Sequence, residues 1–198
     1  MSYIIVGLGN PGEEYLGTRH NTGRIVLEYF RKKNDFPDWE KNGKLNALIS
    51  EGKIGKEKLT LLEPETFMNK SGVPMKLLVT STKRAEQLVV IHDDLDIPIG
   101  SAKMSFNKSS GGHRGVESIM RTIKTEAFVR VRVGISPKTP SGKLRKPKGD
   151  KAVGDFILGQ FKKTETDALK KVSKNVADAL ALLVTETREK ATGELNSK

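Results

Sequence analysis

Short apolar runs rich in β-branched residues recur along the chain, each closed by glycine or a polar turn. They predict strands at about 2–8, 45–52, 58–63, 87–93, 101–106 and 127–135. Between them the apolar period lengthens to three or four. Ile25, Val26, Tyr29 and Phe30 mark one face of a helix over Thr22–Lys33, a second helix is predicted at about 70–80, and a third over 113–125 turns Val116, Ile119, Met120 and Ile123 inward. Leu169, Val172, Val176, Leu180 and Leu183 extend the pattern into a long helix from about 165 to 189. Alternating strands and helices predict an α/β fold, with helices covering both faces of a central sheet in three layers, α/β/α. The gap between 45–52 and 58–63 is too short for a crossover helix, so that pair is expected as an antiparallel hairpin, which makes the sheet mixed.

Length points to one domain, or two small ones at most: 198 residues bury about 70% of the surface of the unfolded chain, enough for a core without covalent staples. With 36% hydrophobic and 30% charged residues the chain reads as globular rather than disordered. It has no cysteine, which excludes a disulfide framework, thiol catalysis and thiolate zinc sites, and fits a reducing compartment. There is no apolar run of membrane-spanning length, and Met1–Gly7 enters a strand without a basic leader, so neither a membrane span nor a signal peptide is expected.

Charge changes the picture most. Thirty-five Lys+Arg against 24 Asp+Glu leave a formal charge of +11, which points to a polyanionic partner, either nucleic acid or an anionic membrane surface, with general solubility charge as the alternative. The segment 138–151 carries six basic residues, one acid, two prolines and two glycines and builds no core. It reads either as an exposed linker or as a mobile basic loop beside a polyanion site.

Gly7-Leu8-Gly9-Asn10-Pro11-Gly12 follows the first strand and formally matches the dinucleotide fingerprint. Glu13 and Glu14 follow where helix amides would have to hold a pyrophosphate, and the helical pattern starts only near Asn21, so that reading fails. A rigid loop at a strand's C-terminal edge is the alternative, and it aims Asn10 at a cleft.

The three histidines, His20, His92 and His113, each lie in polar context near a strand end or a helix start. A histidine from one such place and an aspartate from another form a general base with its orienting acid. A metal site is the competing use, with Asp93, Asp94 and Asp96 as further donors. The histidines lack helical ligand spacing and the acids crowd one turn, so no metal or other cofactor is expected. In Phe67-Met68-Asn69-Lys70-Ser71-Gly72, Ser71 reads as a helix cap, while Phe67, Met68 and Asn69 suit a pocket lining.

Together these segments resemble the bacterial-type peptidyl-tRNA hydrolase family. The resemblance is carried by Val6–Gly12, Tyr15, Thr18-Arg19-His20-Asn21, Thr66–Gly72 and His92–Asp96, then by Gly111-Gly112-His113 with Gly115. It continues through Arg130–Ile135, Val153–Gly159 and Lys190-Ala191-Thr192, nearly the whole chain in order. It implies a monomeric, metal-free, cytoplasmic enzyme that hydrolyses the ester joining a peptide to the 3′ ribose of tRNA. It implies His20 as the base that activates water, Asp93 as its partner, and Asn10 and Asn69 as hydrogen-bonding groups for the peptide end or the water. Tyr15 and Phe67 would line the pocket for the tRNA 3′ end, with Met68, His113 and Arg114 also facing substrate, and Lys103, Lys108 and Arg132 would meet phosphate.

Two departures stand out. Arg114 occupies a position where the family pattern has Asn; it only donates, and an altered site in which it reaches a phosphate is expected. Ser105 replaces a Lys found in many relatives, which weakens the phosphate clamp around Arg132 or shifts part of it to Lys108. The rivals are a non-catalytic RNA-binding protein on the same scaffold and a hydrolase of small esters or amides; the latter leaves the basic charge without a use.

Overall fold

The structure, a computed structural model, describes residues 2–198. Seven strands form one mixed sheet in the order β2-β3-β4-β1-β5-β7-β6. The strands are β1 (Ser2–Gly7), β2 (Glu40–Asn42), β3 (Ala47–Ile54), β4 (Glu57–Pro64), β5 (Leu88–Pro98), β6 (Ala102–Phe106) and β7 (Val129–Ser136). β1 runs parallel to β4 and β5, and β5 parallel to β7. β3 and β4 pair as the expected antiparallel hairpin, and β2 and β6 are antiparallel edges.

Period-two alternation sorts the strand residues into two cores. On one face Ile5, Val89, Ile91, Val129, Val131 and Val133 pack against helices α1 (Thr22–Lys33), α6 (Lys163–Thr185) and α7 (Arg188–Asn196). On the other, Ile4, Val6, Leu88 and Val90 meet α2 (Met75–Leu78), α3 (Thr82–Ala85) and α4 (Arg114–Ile123). The three layers are thus dictated by strands apolar on both sides.

The structure corrects four expectations. The helix predicted over 70–80 is a 3-10 turn at Met68–Lys70 followed by the single turn of α2, because Pro74 has no amide to donate and permits helix only after itself. Ser71 caps nothing there; its hydroxyl donates to the Met68 carbonyl at 2.8 Å. The helix predicted over 165–189 ends at Thr185: Glu186 leaves helical geometry, and the Thr187 side chain caps α7 by accepting from Lys190 N–H. Asn196 of α7 then bonds Met104 N–H and C=O, which blunts edge strand β6. Finally, β2 and helix α5 (Asp150–Ile157) were not expected. Both are short and neither buries a residue, so the period of apolar positions reports neither. The basic segment 138–151 therefore closes in the first turn of α5, and its middle is a turn in which Thr139 N–H donates to Lys143 O.

Candidate active site

Parallel strands β1, β4 and β5 end on the same edge, and β1 lies where the chain order reverses, which is where an open α/β sheet leaves a crevice. Three segments gather there: the loop after β1, the loop after β4, and the last residues of β5. A fourth, the start of α4, meets them from one side, and the cavity they enclose with α5 has a volume of about 640 Å3.

His20 sits in a 3-10 turn, Arg19–Asn21, that leads into α1. Gly23 brings that helix against the sheet, since a Cβ there would collide with the Ile91 carbonyl and the Leu8 backbone. This close approach sets His20 opposite Asp93 of β5, 73 positions away: Nδ1 lies 3.0 and 3.1 Å from the two carboxylate oxygens. With Nδ1–H donating to Asp93, Nε2 is the basic nitrogen. His113, at the N-cap of α4, accepts the Val116 N–H on Nδ1, so its proton is on Nε2, which lies 2.9 Å from Asp93 Oδ1. His92 donates Nδ1–H to the Asp93 carbonyl at 2.7 Å. All three histidines of the chain therefore converge on one aspartate.

Electrostatics follows from this packing. Burial raises the cost of charge on Asp93, but facing His20 and His113 outweigh it and hold the carboxyl well below its usual range. Burial likewise opposes a charged His20, yet the charge and hydrogen bond of Asp93 prevail and raise its pKa above the usual imidazole value, while Arg114 pulls it down. His92 is buried and held neutral, its pKa well below the usual value because of burial and neighbouring His113.

Asn10 is locked twice. Asn21 grips its backbone, accepting Asn10 N–H at 2.8 Å and donating to Asn10 O at 2.9 Å. Its own Oδ1 accepts Met68 N–H at 2.8 Å, which leaves the Nδ2 amide to donate. The Met68 loop is in turn seated on α4, where a Cβ on Gly115 would collide with the Met68 sulfur. Asn69 lines the cavity and has no bond within the chain among the described residues.

A family model described as peptidyl-tRNA hydrolase matches residues 4–198. The chain belongs to that family. A peptidyl-tRNA hydrolase of Listeria welshimeri is 38% identical over 178 residues, covering 89% of this chain and 90% of that protein. One of Carboxydothermus hydrogenoformans is 37% identical over 195 residues, 98% of each. The crystal structure of peptidyl-tRNA hydrolase from Acinetobacter baumannii superposes with a TM-score of 0.87 at 28% identity, covering 98% of this chain and 94% of that one.

In this peptidyl-tRNA hydrolase family member, eight of the residues named from sequence line one cleft: Asn10, His20, Phe67, Met68, Asn69, Asp93, His113 and Arg114. Tyr15 stands beside it, its ring edge-on to exposed Phe67 at 6.5 Å. Lys103, Lys108 and Arg132 lie outside it. Arg132 sits opposite Lys103 in the β6–β7 register, so the two share a sheet face, and Arg132 Nε donates to Asp94 Oδ2 at 2.7 Å. His20, Asp93 and His113 offer ligand atoms within 4.8 Å of one another, a proximity their spacing did not reveal. In the hydrogen-bond arrangement above, both imidazole nitrogens facing Asp93 carry a proton, and holding an ion would require both to be lost.

Sequence reasoning missed three contributors. Asn21 adjoins His20, but nothing in the sequence tells that its side chain reaches back to Asn10. Arg19 anchors the His20 turn, donating to Gln160 O at 2.6 Å and to Glu165 at 2.7 Å while lying 4.6 Å over the Phe156 ring. The α5 wall places Val153, Ile157 and Leu158 toward the cleft, and a helix this short with no buried residue gave no usable signal in the sequence.

Proposed function

We propose that the chain hydrolyses the ester between a peptide and the 3′ ribose of tRNA, with His20 as general base and no metal. His20 Nε2 takes a proton from water, and the oxygen attacks the acyl carbon. Asp93 fixes the tautomer that leaves Nε2 free and steadies the imidazolium that forms. The tetrahedral oxyanion meets amide donors, for which Asn10 Nδ2 and Asn69 are the candidates. The bond from the acyl carbon to the ribose oxygen then breaks, and the proton on His20 passes to that oxygen, giving free tRNA and a peptide acid.

What carries this reading is the His20–Asp93 hydrogen bond inside a cleft that also holds Asn10 and Asn69. Tyr15 and Phe67 at the rim suit stacking of an unpaired 3′-terminal base, and Lys103, Lys108 and Arg132 suit the phosphates beyond it. His113 and Met68 complete the substrate-facing wall. A monomer in the cytoplasm fits this role, and no described helix is long and apolar enough to cross a membrane. The non-catalytic alternative gains no support, since His20, Asp93 and Asn10 are all assembled.

The test is turnover of an N-blocked aminoacyl-tRNA alongside tRNA binding. Release of free tRNA that is unaffected by EDTA and abolished by His20→Ala, with binding kept, is the expected result. Binding without release would replace the reading by a plain RNA-binding role. Apparent affinity should fall steeply with salt; a flat response would point to a small neutral ester instead.

A further inference from the structure

Arg114 and Lys146 are the only Lys or Arg side chains lining the cleft among the described residues. Lys146 is engaged by Asp96. Arg114 has no ion pair or hydrogen bond among the described residues, although the cleft is rich in acids. Three of the four are otherwise occupied, Asp93 by two histidines, Asp94 by Arg132 and Asp96 by Lys146, and exposed Asp150 forms no ion pair with Arg114. Arg114 opens α4 directly after His113, so it stands one residue from a ligand of Asp93, at the helix end whose dipole favours an anion. It is thus an uncommitted guanidinium in the cleft that holds His20, close enough to lower the pKa of that ring, and separate from the Lys103–Arg132 face outside the cleft.

The ester substrate carries no charge at its acyl group, and hydrolysis creates one. Negative charge develops on the attacked carbonyl oxygen, and after the ribose oxygen leaves with the proton from His20, the peptide acid ionises to a carboxylate. A planar guanidinium donates to a carboxylate through two parallel N–H groups, and such charge-assisted pairs are the stronger hydrogen bonds. Resting on the ester-hydrolase reading above, we propose that Arg114 binds the carboxylate newly formed on the peptide, so that the site is inhibited by peptides with a free C-terminus. The same contact favours the oxyanion over the neutral ester, which is where binding energy accelerates the reaction.

The probes are N-acetyl-dialanine and its C-terminal amide, tested as inhibitors of N-blocked aminoacyl-tRNA turnover and as ligands by calorimetry. In the unmodified chain the acid should be about tenfold more potent than the amide. Arg114→Asn should shrink that ratio to under about threefold, and Arg114→Lys should keep part of it. Arg114→Asn should also move the acidic limb of kcat/KM to higher pH, because a positive charge facing His20 is gone while Asp93 and His113 stay in place and Asp94, Asp96, Lys146 and Asp150 are unaltered. Equal potency of acid and amide in the unmodified chain, or a ratio that survives Arg114→Asn, overturns the proposal. So does a loss of inhibition by the dinucleotide cytidylyl-adenosine in Arg114→Asn, with acid and amide alike, since Arg114 would then serve phosphate. A chain that turns over no ester would sink the functional reading, and the calorimetric contrast would still decide Arg114.

Discussion

The turn that carries His20 and the wall formed by residues 138–157 face each other across one cleft and are held in opposite ways. Thr18, Arg19, His20, Asn21 and Thr22 are all buried, and each takes part in at least one hydrogen bond. The wall has no buried residue in α5 and hangs on the exposed Lys146–Asp96 pair, on the turn at Thr139–Lys143, and on Phe156 beneath Arg19. Exposed ion pairs contribute only about 0–1 kcal/mol. The side that carries His20 is built as core, as the proposed base requires; the opposite side is built as surface, which suits a wall that admits substrate. The Arg19 side chain joins the two through its contact with the Phe156 ring.

Breaking the buried side should cost most. His20→Ala is expected to lower kcat by about 10^3–10^4 with tRNA affinity unchanged, since the base is lost and the phosphate contacts are not. Equal loss of kcat and affinity in a filter-binding and turnover pair would show that His20 shapes the binding face instead. Asp93→Asn should lower kcat by about 10^2–10^4, and it should move the acidic limb of kcat/KM to lower pH. The sign is fixed by the raised pKa of His20: the base works only when neutral, so activity falls as pH drops through that value, and removing the carboxylate lowers it. Asn10→Ala, which deletes one donor, should cost about 10^2 in kcat and little in KM.

The wall should respond differently. Replacing Lys143, Arg145, Lys146 and Lys148 together by Gln should raise KM and flatten the salt dependence of kcat/KM while leaving kcat within about threefold. An unchanged KM and salt slope would return the segment to a plain linker. The smallest effect is expected for Arg19→Lys, which keeps the charge but not the planar contact with Phe156 and the paired bonds to Gln160 and Glu165. A shift in KM there with kcat held would show that the two sides of the cleft are coupled through Arg19.

Legibility from sequence follows the same division. Ile4–Val6 and Leu88–Ile91 are apolar on both faces, so their runs announce buried parallel strands whatever they pair with. The chemistry-bearing loops were legible as loops because glycine, proline and asparagine punctuate them. α5 was not, because a helix that buries nothing leaves little apolar period to read. The contact of His113 with Asp93 was not legible for another reason: it depends on where the N-terminus of α4 is seated, and that is settled by Gly115 against Met68 and Gly72 N–H against Ser118.

By itself, then, the order of residues determined the elements, the two-faced sheet, the basic charge and the supply of reactive side chains, because burial and backbone preference act over a few neighbouring positions. Which of those side chains meet was decided only by the tertiary structure. Asp93 is 73 positions from His20 and 20 from His113, and it reaches both because β5 lies beside β1 in register and two helices are seated on that sheet edge. Proximity of that kind is a property of strand pairing and helix packing, and no local pattern encodes it.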